Sequence, residues 1–161
     1  MGSIVWDREI AEIYDETYAA QFDLSVLETM LDLLSALAQG GPALEFAVGT
    51  GRVALALSER NIEVQGIEIS PPMVEQLQAN PGADAVNVTI GDMTTTRVPG
   101  AFQLVRRSAP YRYVPPSSTD LMARLAGLHR RHRWAGWGKE PFTSESTSQV
   151  AVYRRNRDSA P

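Results

Sequence analysis

The chain has 161 residues, enough for one domain with a real core and few for two. With 43% hydrophobic and 21% charged residues it has the composition of an ordinary globular protein, which excludes a low-complexity or fibrous chain. It contains no cysteine, which excludes disulfides, thiolate metal sites and thiol nucleophiles. No apolar run approaches the roughly 20 residues that span a bilayer, and Trp6, Asp7, Arg8 and Glu9 do not read as part of a secretory leader. No membrane partner and a cytoplasmic location are therefore expected. The net charge of −4 divides unevenly: residues 1–105 carry −11 and residues 106–161 carry +7. A basic half suits a nucleic-acid surface or a tail packed on an acidic front half, and the second is the favoured expectation.

In chain order, residues 7–20 place Ile10, Ile13, Tyr14 and Thr17 at helical spacing, and residues 25–39 do the same with Leu27, Met30, Leu31, Leu34 and Leu37. Gly40, Gly41 and Pro42 end that second helix. Residues 43–48 are a short apolar run stopping at glycines, which predicts a buried strand. Residues 52–60 predict a helix, and residues 62–69, rich in β-branched side chains, a second strand. Ser70 and Pro71 read as N-cap and first-turn proline of a helix reaching Ala79, closed by Asn80, Pro81 and Gly82. Residues 85–90 and 101–105 predict a third and a fourth strand. Such alternation predicts an α/β fold with a doubly wound, mostly parallel Rossmann-like sheet. Beyond it, residues 117–127 predict a helix, and residues 129–137 and 149–154 a closing antiparallel pair.

The chemistry concentrates between residues 43 and 92. Gly49 and Gly51 occupy the turn between a strand and a helix, where missing side chains let the backbone approach a ligand near the positive end of the helix. Glu45 lies inside the first strand, where a carboxylate is costly to bury. Glu68 stands near the end of the second strand, placed to accept both ribose hydroxyls, and Asp92 follows the third, placed for an adenine amino group. Taken one at a time, each is an ordinary strand-end charge. Three at one sheet edge point to a nucleotide-type cofactor.

ALEFAVGTGR (43–52), GIEISPPMVEQL (66–77) and VTIGDM (88–93) resemble the successive cofactor motifs of class I S-adenosylmethionine (SAM)-dependent methyltransferases. The resemblance implies SAM as cofactor. It implies that Ala47, Gly49 and Gly51 hold the methionine part, that Glu68 with Ile69 beside it takes the ribose, and that Asp92 and Met93 take the adenine. Ala47 stands where the family usually has glycine. Residues 10–18, with Tyr14 and Tyr18, resemble the N-terminal lid helix of small-molecule methyltransferases, in which a tyrosine closes over the cofactor. Gly49, Gly51 and Ala54 also satisfy the looser G-x-G-x-x-A spacing of an NAD(P)-binding Rossmann protein, with Glu68 at a plausible distance for the ribose. Glu45 and the Gly-Asp-Met after the third strand favour SAM over that alternative.

Residues 111–155 resemble the C-terminal end of bacterial small-molecule methyltransferases, which implies a single methyltransferase domain over 1–161. Its parts are lid helices in 1–40, a cofactor half in 43–105, and a helix with a strand pair in 106–161. The family's segments between its fourth strand and that end are missing here. An internal deletion after Val105 is therefore expected, giving a sheet smaller than the family's seven strands and an exposed edge through which a homodimer could form. The expected function is methyl transfer to a small-molecule acceptor, with a non-catalytic SAM-binding remnant as the alternative. Arg130, Arg131, Arg133, Arg154, Arg155 and Arg157 prompt a nucleic-acid reading, against which stands the missing Asn/Asp-Pro-Pro-aromatic run of amino-methylating nucleic-acid enzymes. No nucleic-acid partner is expected. His129, His132, Tyr14 and Tyr18 are the candidates for a base, and none has an identifiable partner, so no catalytic residue is assigned. The two histidines lack further ligands at metal-site spacing, and no metal is expected.

Overall fold

The computed structural model describes residues 7–17, 24–107 and 115–155, which fall into two compact units, Met1–Ala109 and Pro110–Pro161. In the first, helix α1 (Arg8–Thr17) starts at Asp7, whose Oδ1 accepts from the Ile10 amide at 3.0 Å and so satisfies one free helix-end donor. Helix α2 (Leu24–Ala38) buries Met30, Leu31, Leu33, Leu34 and Ala38. Strand β1 (Ala43–Phe46), helix α3 (Arg52–Glu59), strand β2 (Val64–Glu68), helix α4 (Pro71–Gln78), a 3₁₀ turn at Ala83–Ala85 and strand β3 (Val86–Ile90) follow. Strand β4 (Leu104–Arg107) ends the unit's regular structure.

The four strands make one parallel sheet in the order β3-β2-β1-β4. The chain winds outward from β1 to β3 and returns on the other side of β1, so the gap between β1 and β4 is the switch point at whose carboxyl end ligands bind in such sheets. Parallel register places Ala43, Val64, Val86 and Leu104 in one row across the sheet, and all four are buried. Leu57 of α3 and Met73 and Leu77 of α4 are among the most deeply buried side chains. Each such apolar side chain contributes about 1.5–3 kcal/mol on burial.

The Rossmann-like sheet matches the sequence reading, and two boundaries moved. Strand β1 stops at Phe46 rather than Val48, because Ala47 takes a left-handed conformation with φ 55°. Strand β4 begins at Leu104 and runs on to Arg107, past the expected end at Val105. Arg106 lies beside Glu45 in the parallel register and forms an ion pair with it. The sheet is smaller than seven strands, as the missing segments led one to expect. Among the described residues β4 pairs only with β1, and its Val105 is 54% exposed.

In the second unit, helix α5 (Pro116–Leu125) precedes strands β5 (Leu128–Trp134) and β6 (Val150–Arg155), which pair antiparallel with an irregularity between Arg130 and His132. Gly127, at φ 71°, closes the helix as read. Strand β5 ends short of the expected 137, at Trp134, which forms an isolated bridge to Pro141. Asp120 of α5 ties the unit together. It accepts from the Tyr153 hydroxyl at 2.6 Å, from Arg133 Nη2 at 2.8 Å and from Arg130 Nη1 at 2.7 Å. The Tyr153 hydrogen bond and then the arginines hold its carboxyl below the usual range. Tyr18, residues 111–114 and Arg157 lie outside the described residues.

Two glycines separate conformational cost from steric cost. Gly51 (φ 85°) sits where an added β-carbon would lie 2.6 Å from Leu77 Cγ, whereas Gly82 (φ 79°) has nothing within 4 Å. Gly82→Ala should cost about 1–2 kcal/mol for the left-handed backbone alone. Gly51→Ala should cost about 2–4 kcal/mol, since it adds a clash against α4. Urea unfolding of the two variants measures the difference, and equal losses would show that α4 yields to the methyl group.

Candidate cofactor site

The site is built on the loop that joins β1 to α3. Val48 folds back over β2: its amide donates to the Ile67 carbonyl at 3.2 Å, and a β-carbon on Gly66 would lie 2.8 Å from Val48 Cγ1. Further along, the bare α-carbon of Gly51 packs against Leu77. Between these anchors stand Ala47, exposed at φ 55°, and Gly49 at φ 59°. The left-handed region costs an L-residue about 1–2 kcal/mol, which is the physical reason a glycine is usual at position 47. A β-carbon on Gly49 would meet nothing within 4 Å, so the loop leaves open space on that side.

Glu68, at the end of β2, is only 4% exposed. Its Oε2 accepts from the Gly49 amide at 2.9 Å and its Oε1 from the Ser70 amide at 3.0 Å. Each oxygen thus uses one acceptor position and keeps another. Ser70, fully buried, caps α4 by accepting from the Met73 amide at 3.4 Å. Ile69 beside it is half-buried.

Asp92 lies two residues beyond β3. Its Oδ1 accepts from the Thr94 amide at 2.8 Å and the Thr94 hydroxyl at 2.7 Å, and its carbonyl accepts from the Thr95 and Thr96 amides. The Thr94 hydroxyl, then the Thr94 amide, hold the carboxyl below its ordinary value, so Asp92 is an ionised acceptor. No described residue donates to Oδ2. Met93 next to it is half-buried.

Glu45 is 3% exposed and pairs with Arg106 across the switch point, while Arg106 Nη2 also lies 3.8 Å from Met30 Sδ of α2. Burial pushes the Glu45 carboxyl up to about 7, with Arg106 opposing that rise through its charge and its hydrogen bond. Glu45 Oε2 and Arg106 Nε are buried without a hydrogen-bond partner.

Helix α1 reaches this loop by a residue the sequence reading passed over. The Thr50 hydroxyl donates to Asp15 Oδ1 at 2.8 Å, and Arg52 Nη2 lies 3.6 Å from the same oxygen. Tyr14, the expected lid residue, is half-buried next to Asp15. Asn80, after α4, donates to the Gln76 carbonyl at 3.0 Å and contacts the Thr50 carbonyl at 3.5 Å. Of these residues, Asn80 carries a sequence signal as a helix stop and Arg106 as an arginine directly after an apolar strand start.

The first unit therefore gathers Glu45, Ala47, Gly49, Gly51 and Glu68 at the carboxyl ends of adjacent strands, with Asp92 and Met93 beyond the next. The spare acceptor positions of Glu68, the unused oxygen of Asp92 and the open side of Gly49 fit an adenosine-bearing cofactor. The histidines belong to the second unit, where His132 stacks on Trp134 with ring centroids 4.8 Å apart. Among the described residues no group of three or more His, Cys, Asp or Glu side chains could hold a metal ion. No described helix is long and apolar enough to cross a membrane.

Fold and site define a doubly wound, nucleotide-cofactor domain, and comparison with known proteins narrows the class. Residues 43–132 match the methyltransferase domain family. The CcbJ methyltransferase of Streptomyces caelestis superposes with a TM-score of 0.80 at 21% identity, over 91% of this chain and 96% of that one. A TehB-like SAM-dependent methyltransferase of Corynebacterium glutamicum gives 0.78 at 17% identity, over 93% and 100%. Magnesium protoporphyrin IX methyltransferase of Synechocystis, solved with bound SAM, gives 0.56 at 12% identity, over 68% and 70%. At these identities the likeness is one of fold. No curated protein matches the sequence. The chain belongs to the methyltransferase domain family and is a class I SAM-dependent methyltransferase, which decides the cofactor in favour of SAM over a dinucleotide.

The raised Glu45 carboxyl makes a signed prediction. Its folded value, about 7, exceeds the ordinary 4.5, so the stability it contributes is full below about 4.5 and is lost as pH rises through 7. The stability of the native chain relative to Glu45→Gln should therefore fall between pH 5 and pH 8. Urea unfolding of both proteins at the two pH values tests this, and a constant difference would mean that Glu45 titrates alike in both states.

Proposed function

We propose that this methyltransferase acts on a small-molecule acceptor and holds SAM at Tyr14, Glu45, Ala47, Gly49, Gly51, Glu68, Ile69, Asp92 and Met93. The observation that carries the residue assignment is the Glu68 carboxylate, buried yet left with one acceptor position on each oxygen. Those positions suit the two ribose hydroxyls. The unengaged Oδ2 of Asp92 suits the adenine amino group, with Met93 and Ile69 as apolar neighbours. Ala47, Gly49 and Gly51 give the methionine part a backbone path without large side chains, and the lid role is assigned to Tyr14 on α1. The cofactor, when bound, supplies a methyl group activated by its sulfonium. The protein's share is to hold donor and acceptor in line and keep water out.

A small acceptor is supported by the resemblance of residues 111–155 to small-molecule enzymes. It is also supported by the arginines: Arg130 and Arg133 are engaged by Asp120 rather than presented to a polyanion. A second reading, SAM binding without turnover, is favoured by the four-stranded sheet, which gives fewer strand ends for an acceptor pocket than seven strands would. The β4 edge with exposed Val105 would accept a second copy of the chain in a homodimer.

Calorimetry with SAM and S-adenosylhomocysteine tests the assignment. Both should bind at one site, and Asp92→Ala should weaken SAM by about 1–3 kcal/mol, as for a charge-assisted hydrogen bond. If neither ligand binds, the residue assignment fails. Binding with no methyl transfer to any small-molecule panel would favour the second reading.

A further inference from the structure

The loop between β1 and α3 is held by packing at its two ends, by the Ile67 carbonyl at Val48 and by two carboxylates in the middle, Asp15 on the Thr50 hydroxyl and Glu68 on the Gly49 amide. Val48 is anchored over Gly66, and Gly51 against Leu77. Gly49 has no side chain and no neighbour within 4 Å of where one would be, so packing does not fix it. Its backbone is left-handed, at φ 59°, and its amide is directed at Glu68, 19 residues away, at 2.9 Å. The other oxygen of the same carboxylate takes the Ser70 amide at the start of α4. One buried side chain therefore sets the glycine loop against the end of β2 and the mouth of the next helix.

We propose that Glu68 is a positioning residue for the glycine loop: by holding the Gly49 amide it shapes, before any ligand arrives, the surface against which the amino-acid end of the cofactor lies. This rests on the cofactor reading above, in which Glu68 accepts the ribose, and adds a second role to the same carboxylate. A residue that only accepted hydroxyls would act on the ribose alone. A residue that also sets the loop couples the two halves of the ligand, because the ordering that the methionine part needs is already in place. Glutamine at this position is neutral, with one acceptor oxygen and an amide that donates, so the Gly49 amide is either released or left with a weaker, uncharged acceptor.

The test compares native protein with Glu68→Gln, first without ligand. Hydrogen exchange at the Gly49 amide should quicken by about tenfold or more, the amide having lost a charge-assisted partner. Binding of two probes is then measured by calorimetry or NMR titration: adenosine, which has the ribose and adenine, and S-adenosylhomocysteine, which adds the amino-acid arm. The variant should lose at least about tenfold more affinity for S-adenosylhomocysteine than for adenosine. Unchanged Gly49 exchange, or equal losses for the two probes, would overturn the proposal. Adenosine affinity unaffected by the substitution, with S-adenosylhomocysteine weakened, would remove the ribose contact and leave the positioning role standing. Should the glutamine variant not fold, Glu68→Asp keeps the charge, shortens the reach, and is read by the same two measurements with the same expected and overturning results.

Discussion

Two carboxylates buried at the carboxyl ends of adjacent central strands are the constraint on which the rest of this structure depends. Glu45 and Glu68 are 3% and 4% exposed, and a buried ionised carboxylate costs several kcal/mol unless charge or donors meet it. The fold meets the two in different ways. Glu45 is given a countercharge, Arg106, from the strand across the switch point. Glu68 has, among the described residues, no countercharge but two backbone amides, one from the glycine loop and one from the start of α4. The first solution binds β4 to β1 where the chain changes direction. The second binds the loop to β2.

These solutions differ in what they leave for a ligand. The pair at Glu45 spends its charge inside the protein and still leaves Oε2 and the Arg106 Nε unsatisfied, so burial dominates and the carboxyl holds its proton to near neutrality. Backbone amides satisfy Glu68, and no described residue places a positive side chain on it. An acceptor that is ordered, buried and only half used is suited to hydroxyl donors. Asp92 works on the same pattern at the surface, one oxygen committed to Thr94 and the other not.

The cofactor half and the C-terminal unit are organised by different forces. In the first, a row of apolar residues crosses four parallel strands beneath the helices, and polar groups collect at one end. In the second, Asp120 gathers Arg130, Arg133 and Tyr153, so a helix and a strand pair with modest burial are joined by a charged network. Of the basic residues in this stretch, Arg130 and Arg133 are engaged within the unit by Asp120. The reduced sheet leaves β4 as an edge among the described residues.

The sequence by itself determined the alternation of strands and helices in residues 43–105, the Ser70-Pro71 helix start, the glycine turn and the acids at positions 45, 68 and 92, because local propensity, capping and hydrophobic period are properties of neighbouring residues. It also carried the family, through motifs only a few residues long. Only the tertiary structure decided who satisfies whom. That Arg106 continues a strand, that Asp15 reaches Thr50, and that Glu68 holds Gly49 all depend on groups 19 to 61 residues apart in the chain. No local pattern encodes such pairings, since each exists only once the sheet has set its register. Ala47 shows the same division: its identity was legible at once, but the left-handed backbone that makes glycine the usual choice there became visible only when the loop was folded.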